Sequence, residues 1–123
     1  MISRRIREVS NTSCRHFPSA RKRAPYNPLC AHPDDLAALA LGDGAECWVV
    51  SDNGRIPAVA RADATLRPGV VSMTHGYGGV AGEDVNYREQ GSSISLLISL
   101  DRDCEPLQAM PRMSGVPVRL EAR

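Results

Sequence analysis

Aromatic residues, long apolar runs and closely spaced cysteine pairs are scarce or missing in this sequence. Aromatic residues make up only 4 % of the chain, so the stacking platforms of single-strand nucleic-acid binders are not expected. No apolar run approaches the roughly 20 residues that cross a bilayer. The four cysteines form no C-x-x-C pair, and without a secretory signal we expect reduced thiols in a cytoplasmic protein. We therefore expect that the protein binds no nucleic acid and that it has no membrane-spanning segment.

A repeated C-x-H spacing is the one pattern that suggests a metal. It occurs in Cys14-Arg15-His16 and in Cys30-Ala31-His32. Structural zinc sites usually separate their cysteines by two to four residues, and a single intervening residue strains chelation. We therefore predict that these residues hold no metal.

Charge is distributed unevenly along the chain, whose 123 residues and 13.3 kDa fit a single domain, 1–123. Residues 1–23 hold seven Lys or Arg against one Glu, a balance of +6, and the remainder has a balance of −5. A basic arm with an extended loop, 1–28, thus precedes an acidic body, 29–123. This asymmetry suggests an anionic ligand for the arm. A solvated tail, a nucleic-acid-binding arm and a transit peptide are the alternatives.

Local sequence signals predict one short helix and a polar loop before it. Three prolines within Thr12–Pro28 favour an extended loop over a helix. The stretch HPDDLAALALGDG predicts a helix, because Pro33 fits the first helical position and the two following aspartates favour the positive end of the helix dipole. Gly42 is a suitable residue to end it.

The rest of the chain reads as short strands. Asn53-Gly54 is a favoured tight turn, and it predicts a hairpin of Ala45–Ser51 with Arg55–Ala62. Further strands are predicted at Met1–Val9 (irregular), Val70–Met73, Ile94–Ser99 and Val116–Leu120. Several short strands with little helix favour a mainly β fold, as a closed or nearly closed barrel.

The order of these motifs resembles a known family. The stretches are HPDDLAALALGDGAECWVVSDNGRIPAVARADATLRPGVVSMTHGYGG and EPLQAMPRMSGVPVRLE. They resemble the C-terminal molybdopterin dinucleotide-binding domain of the molybdopterin oxidoreductases, the dimethyl sulfoxide reductase and formate dehydrogenase family. The resemblance implies a double-psi β-barrel with one or two short helices. It also implies that the barrel closes over one or both molybdopterin guanine dinucleotides of a molybdenum or tungsten cofactor.

The resemblance further implies that this domain works with other parts of an enzyme. Its partners would be the catalytic domains or the large subunit of the parent oxidoreductase. The metal-binding and iron-sulfur parts of the family do not fit in 123 residues. We therefore expect no catalysis by the chain alone and no cofactor bound tightly to it. The alternative is a free-standing double-psi barrel used for interaction or small-ligand binding.

Two segments match the family's cofactor-facing motifs. An Arg-x-x-x-(His/Asn)-x-(Ser/His) segment is matched by Arg7, Asn11 and Ser13. An arginine fork binds phosphate oxygens bidentately, and the amide and hydroxyl add neutral donors. A His-Gly-Trp/Tyr-Gly segment is matched by the run from His75 to Gly78, in which Gly76 permits close approach and Tyr77 offers a ring face and a hydroxyl. A loop histidine bonded to local backbone is the alternative reading of His75.

The chain departs from the family at two positions. Where the family usually has Asn in a Val-Asn-x-Leu segment, the best match is Ser95, and Asn86 is a rival alignment. Where the family often has Lys after Pro-x-Tyr, this chain has Ser114. Both serines are retained as candidate cofactor contacts. No catalytic residue and no metal ligand is assigned.

Overall fold

A computed structural model describes residues 1–79, 81–102 and 104–123. Six strands form one mixed sheet. They are β1 (Ile2–Arg4), β2 (Leu29–Ala31), β3 (Glu46–Val50), β4 (Arg55–Ala62), β5 (Val71–Thr74) and β6 (Arg119–Ala122). Their order in the sheet is β1-β5-β2-β4-β3-β6. The prediction of a mainly β protein is confirmed.

The predicted β3–β4 hairpin is confirmed, but its turn is not the tight turn expected, because four residues connect the strands and neither Asn53 nor Gly54 has a positive φ. The two strands pair antiparallel from Glu46↔Val59 to Val50↔Arg55. The amide of Ser51 donates to the carbonyl of Gly54 at 2.9 Å and closes the turn. In β3 the burial alternates over the first four residues, whereas five consecutive residues of β4, 56–60, are buried, so alternation alone does not set this register.

The described residues contain three α-helices and one 3₁₀ helix, more than the one or two expected. These are α1 (Pro18–Arg23), α2 (Pro33–Ala38), α3 (Glu83–Gln90) and the 3₁₀ helix Ile94–Leu97. The helix predicted at Pro33 is confirmed, although it ends before Gly42. His32 caps it, because its Nδ1 accepts from the amide of Asp34 at 3.2 Å.

The prediction of an entirely extended loop over Thr12–Pro28 is wrong. Helix α1 lies inside that segment, with Pro18 at its first position. Proline is well placed there, because a first-turn amide has no partner within the helix in any case. Of the three prolines in this segment, only the two beyond Arg23 act against a helix.

Two strand predictions also need correction. Ile94–Ser99 is not a strand, since Ile94–Leu97 forms a 3₁₀ helix whose buried side chains Ile94 and Leu97 stand three residues apart. A short apolar run does not distinguish a strand from a helical turn. The last strand is β6 at Arg119–Ala122, shifted from Val116–Leu120. Pro117 has no amide to donate, which favours pairing after it rather than through it.

The expected double-psi barrel is not confirmed by this pairing, because the sheet is not closed. Strands β1 and β6 lie at opposite ends of the strand order, and among the described residues no ladder joins them. Met1 and Val116 nevertheless exchange two backbone hydrogen bonds between these edges. Since β6 begins only at Arg119, this contact does not extend into a ladder.

The sheet brings the basic arm beside the glycine-rich loop. Strand β1 pairs parallel to β5, with Ile2 opposite Ser72 and Arg4 opposite Thr74, so their carboxyl ends lie side by side. The arm continues from β1 and the loop His75–Gly79 continues from β5. Leu29, Met73, Ile56, Val49, Leu36 and Leu97 form part of the single hydrophobic core behind them. No helix in the described ranges has the length and apolar character that crossing a bilayer requires.

Candidate functional site

His75 stands at the centre of the contacts between arm and loop. It follows β5 directly, and its Nδ1 lies 3.1 Å from the hydroxyl of Ser3, while its Nε2 lies 2.9 Å from Oδ1 of Asn11. Because an amide oxygen only accepts, Nε2 donates to Asn11, and Nδ1 is hydrogen-bonded to the Ser3 hydroxyl. We call these residues, together with Gly76 and Ser114, the loop junction.

Ser114 joins the loop junction from the far end of the sequence. Its hydroxyl accepts from the amide of Ser3 at 3.2 Å. A run of hydrogen bonds therefore leads from Ser114 through Ser3 and His75 to Asn11. Three of the predicted site residues, Asn11, His75 and Ser114, belong to this run. Ser3 was missed, because a serine before an arginine pair belongs to no recognisable motif.

Gly76 allows the arm and the loop to approach each other. Its φ is +84°, and an added Cβ would lie 2.4 Å from the carbonyl oxygen of Asn11. Asn11 also has a positive φ, of 55°. Such close backbone contact requires glycine, so the predicted role of Gly76 in a close approach has a physical basis, although its neighbour here is the arm.

Arg15 links the arm to the glycine-rich loop by hydrogen bonds next to the junction. Its guanidinium donates to the carbonyls of Gly76 at 2.6 Å and Gln90 at 2.8 Å. It also lies 4.4 Å from the ring centre of Tyr77. One side chain thus fixes three segments. Arg15 belongs to neither of the two cofactor-facing motifs, which is why sequence reasoning missed it.

Tyr77 is a buried support for the loop. It is 3 % exposed, and its hydroxyl donates to the carbonyl of Ala24 at 3.1 Å. Burial raises the pKa of Tyr77 above its usual range, although the positive charge of Arg15 acts in the opposite direction. The hydroxyl therefore remains a protonated donor to the backbone. Because its ring packs against Arg15 and its hydroxyl is bonded to Ala24, Tyr77 holds the loop in place.

Asn27 connects the same region to the chain beyond α3. It is 2 % exposed, and its amide group donates to the carbonyls of Thr74 at 2.6 Å and Ser92 at 2.9 Å. Its oxygen accepts from the amide of Ser92 at 2.8 Å. A buried amide with three partners fixes the backbone that it bridges. The segment before β2, the end of β5 and Ser92 therefore form one unit.

A basic hollow lies beside the loop junction. It has a volume of about 380 Å³, and Arg4, Arg5, Arg23 and Arg61 line it from three parts of the chain. Arg4 pairs with Asp63 at 3.1 Å. Hydrogen bonds from Thr65, and then from Arg4, hold the pKa of Asp63 below its usual range, so this carboxylate stays ionised. With Glu8 also at the wall, four cations face two carboxylates. We call this the arginine hollow.

The hollow and the junction share the ends of β1 and β5. Arg4 and Thr74 line the hollow, and the adjacent residues Ser3 and His75 belong to the junction. Consecutive side chains of a strand point to opposite faces. The two features therefore lie on either side of the same pair of strand ends.

The remaining predicted residues lie outside these contacts. Arg7 is exposed and lines a neighbouring, more open depression with Phe17 and Arg23. Ser13 is exposed, and its backbone pairs with that of Ser10 in a tight turn. Ser95 is exposed on the 3₁₀ helix, and none of the described contacts links it to His75.

No group of three or more metal-binding side chains occurs within the described part of the chain. All four cysteines lie within that part, and each is a free thiol. Cys47 is fully buried, and desolvation raises the pKa of its thiol to about 11. This thiol is accordingly neutral and sheltered at ordinary pH.

Comparison with known proteins agrees with the family suggested by the motifs. Residues 1–117 match the family described as Molydopterin dinucleotide binding domain. The chain therefore belongs to this family, and it is a cofactor-binding module. No curated protein matches the chain.

A solved structure shows the same fold within a much larger chain. Acetylene hydratase from Pelobacter acetylenicus is similar over 98 % of this chain, with a TM-score of 0.80 and 18 % identity. The match covers 18 % of the acetylene hydratase chain. The present chain thus spans about a fifth of the protein that it resembles.

Proposed function

We propose that this domain binds the guanine dinucleotide of a molybdopterin cofactor in a molybdenum or tungsten oxidoreductase. Family membership supports a dinucleotide. The observation that supports this proposal most strongly is that Arg4, Arg5, Arg23 and Arg61 all line the arginine hollow, beside the loop junction. When bound, the cofactor supplies the redox chemistry through its metal. The chain's own residues hold and enclose the nucleotide, so the isolated domain is inactive.

The donor set of the hollow fits a diphosphate. Guanidinium groups bind phosphate oxygens in pairs of charge-assisted hydrogen bonds. The 380 Å³ volume also falls within the about 300–1,000 Å³ typical of small-molecule sites. Arg4 is already paired with Asp63. We therefore assign the main phosphate contacts to Arg5, Arg23 and Arg61.

The loop junction supplies neutral donors at the edge of this site. His75 holds the side-chain oxygen of Asn11, which leaves the amide nitrogen of Asn11 to donate to the ligand. Arg7 and Ser13 lie on the same arm and extend the proposed contact. Ser114 completes the junction through Ser3. Gly76 and Tyr77 fix the position of the loop relative to the arm.

Ser95 stays a proposed contact separate from this group. It is exposed at a different place on the body. It would therefore contact a different part of the cofactor from the part that Asn11 contacts.

The partners that we propose to complete the enclosure are the catalytic domains or the large subunit of the parent enzyme. We propose that this enzyme is cytoplasmic, since four free thiols stay reduced in that compartment.

We also propose that the sheet is a double-psi barrel with an incomplete seam. Two parallel pairings, β1–β5 and β2–β4, within an otherwise antiparallel sheet support this topology. The backbone hydrogen bonds between Met1 and Val116 would be the seam. Formation of the seam places Ser114 beside Ser3.

Calorimetric titration of the chain with GDP, guanosine and inorganic pyrophosphate tests the proposal. We expect weak binding of GDP and pyrophosphate that falls with added salt, and weaker or no binding of guanosine. Arg61→Ala should weaken GDP binding about tenfold or more, because a hydrogen bond to a charged group contributes about 1.5–3 kcal/mol. Arg7→Ala should also weaken GDP binding, by a smaller factor, and reduce its salt sensitivity.

The matched control is Arg119→Ala. Arg119 is an exposed arginine on β6 that pairs with Glu121 at 2.7 Å, away from the hollow. Its removal changes the net charge equally and should leave GDP binding nearly unchanged. The proposal fails if guanosine binds as tightly as GDP, or if Arg119→Ala and Arg61→Ala weaken binding equally.

A further inference from the structure

A loop near the end of the chain exposes large apolar side chains. Within residues 104–113, which we call the apolar loop, Leu107 is 92 % exposed, Met110 60 % and Met113 43 %. Leu100 is 76 % exposed and lies beside the loop, because the thiol of Cys104 donates to its carbonyl at 3.3 Å. Single exposed apolar residues are ordinary, but a cluster on one segment indicates a surface that another molecule covers.

The apolar loop has its own internal framework. The Glu105 carboxylate accepts from the amides of Leu107 at 3.1 Å and Gln108 at 2.6 Å. The amide of Glu105 donates to the carbonyl of Met110, and the amide of Ala109 donates to that of Glu105. The loop is therefore shaped without help from a core, while its apolar side chains point outward. A loop ordered in advance loses less entropy on binding.

The apolar loop adjoins the proposed cofactor site. Met113 directly precedes Ser114, whose hydroxyl accepts from the amide of Ser3 in the loop junction. A partner that encloses the nucleotide from the junction side would therefore meet Met113 first and the rest of the loop next.

The size of the matching structure indicates what that partner is. This fold accounts for 18 % of the acetylene hydratase chain, so more than four fifths of that chain lies outside it. A domain that forms so small a part of its enzyme must present an interface to the remainder. Methionines beside the proposed cofactor site suit such an interface, since methionine is enriched and charged residues are depleted at the core of protein interfaces.

We propose that the apolar loop docks into an apolar recess of the catalytic domains or large subunit of the parent oxidoreductase and seals the edge of the cofactor site. This inference rests on the proposed function for the identity of the partner. Leu107 is the central anchor, Met110 and Met113 flank it, and Arg112 lies at the polar rim.

Oxidative footprinting tests the docking surface directly. Met110 and Met113 should be oxidised readily by hydroxyl radicals in the 123-residue chain, because both sulfur-bearing side chains are exposed. In the assembled enzyme, purified through a tag on this chain, their oxidation should slow several-fold as measured by mass spectrometry. Equal oxidation in both forms overturns the proposal.

A pair of variants identifies the anchor. Leu107→Asp should release the chain from the catalytic part of the parent enzyme, expressed as a separate polypeptide, on gel filtration, whereas Val85→Asp should not. Val85 is 78 % exposed on α3, so it is an apolar surface position outside the loop. Circular dichroism should show both variants folded. If both assemble, or if both are released, the proposal is wrong.

Two other results separate this inference from the function on which it rests. Dimerisation of the isolated chain that Leu107→Asp abolishes would assign the loop to a second copy, and would overturn the proposal. GDP titration of Leu107→Asp reports on the cofactor site by itself. Retained GDP binding with lost assembly supports the docking surface, and normal assembly of this variant refutes the docking surface alone.

Discussion

The β3–β4 hairpin and the loop junction are held together by different means. Five consecutive residue pairs join the strands of the hairpin, and Cys47, Val49 and Ile56 are fully buried beneath them. The junction instead depends on a few polar side chains from distant parts of the chain, such as Ser3 with His75 and Arg15 with Gln90. Damage to the hairpin should therefore lower the stability of the whole domain, whereas damage to the junction should mainly affect the site.

The largest effect should come from the hairpin core. Ile56→Ala removes a fully buried side chain and leaves a cavity, which typically lowers the free energy of unfolding by about 2–5 kcal/mol. Urea unfolding measures this loss, and Ile56→Val is the graded control at about 0.5–1.5 kcal/mol. A change for Ile56→Ala no larger than that for Ile56→Val would contradict the packed core.

Gly76→Ala should have the next largest effect, and it should act on the site. The new Cβ would meet the Asn11 carbonyl at 2.4 Å and would also strain a positive φ, a conformation that costs about 1–3 kcal/mol. Gly69→Ala is the matched control, because Gly69 has φ +79° but nothing within 4 Å of an added Cβ. We expect Gly76→Ala to weaken GDP binding and Gly69→Ala to leave it unchanged. Equal binding by both would show that the contact with Asn11 is unimportant.

Arg15→Lys should have a smaller effect that is confined to the junction. Lysine keeps the charge but loses the fork that reaches both Gly76 and Gln90, so about 1–2 kcal/mol of stability is expected to be lost. Amide shifts of Gly76 and His75 report the change in loop position. The control is Arg21→Lys, an exposed position on α1. Unchanged shifts in Arg15→Lys would refute the clamp.

The smallest effect at neutral pH should come from titration of the hairpin core, because it acts only in alkaline solution. Burial raises the pKa of Cys47 to about 11 from an unfolded value near 9.0. The protonated thiol is favoured by folding, so its contribution is complete below the unfolded pKa and is lost as the pH rises through the folded pKa. As the pH rises from the lower to the higher of these two values, the free energy of unfolding of Cys47→Ala should therefore fall less than that of the wild type. An identical alkaline decline in both would exclude Cys47 as its source.

The same contrast explains what the sequence could predict. The hairpin follows from Asn53-Gly54 between two apolar runs, and helix α2 follows from Pro33 and its aspartates. The family motifs pointed to Asn11, His75 and Ser114, which meet in the structure. No local rule predicts that Arg15 reaches Gln90 or that Asn27 bridges Thr74 and Ser92, because these pairs are far apart in the sequence.

Local rules also failed where one signal fits two structures. Ile94 and Leu97 satisfy both a buried strand and a 3₁₀ turn, and only packing against β4 decides between them. Pro18 fits a loop as well as the first turn of a helix. The arginine hollow could not be predicted from local sequence for another reason. Arg61 lies on the hairpin and joins the arm's arginines only after the sheet has formed.

Backbone amide shifts during a GDP titration test the central claim most directly. The account predicts that shifts concentrate at Arg5, Asn11, His75 and Arg61, and that they are absent from the hairpin turn at Asn53. Inorganic pyrophosphate should shift the same arginine positions. Shifts confined to the hairpin turn and the 3₁₀ helix, on the face away from Asn11 and His75, would contradict the placement of the cofactor site.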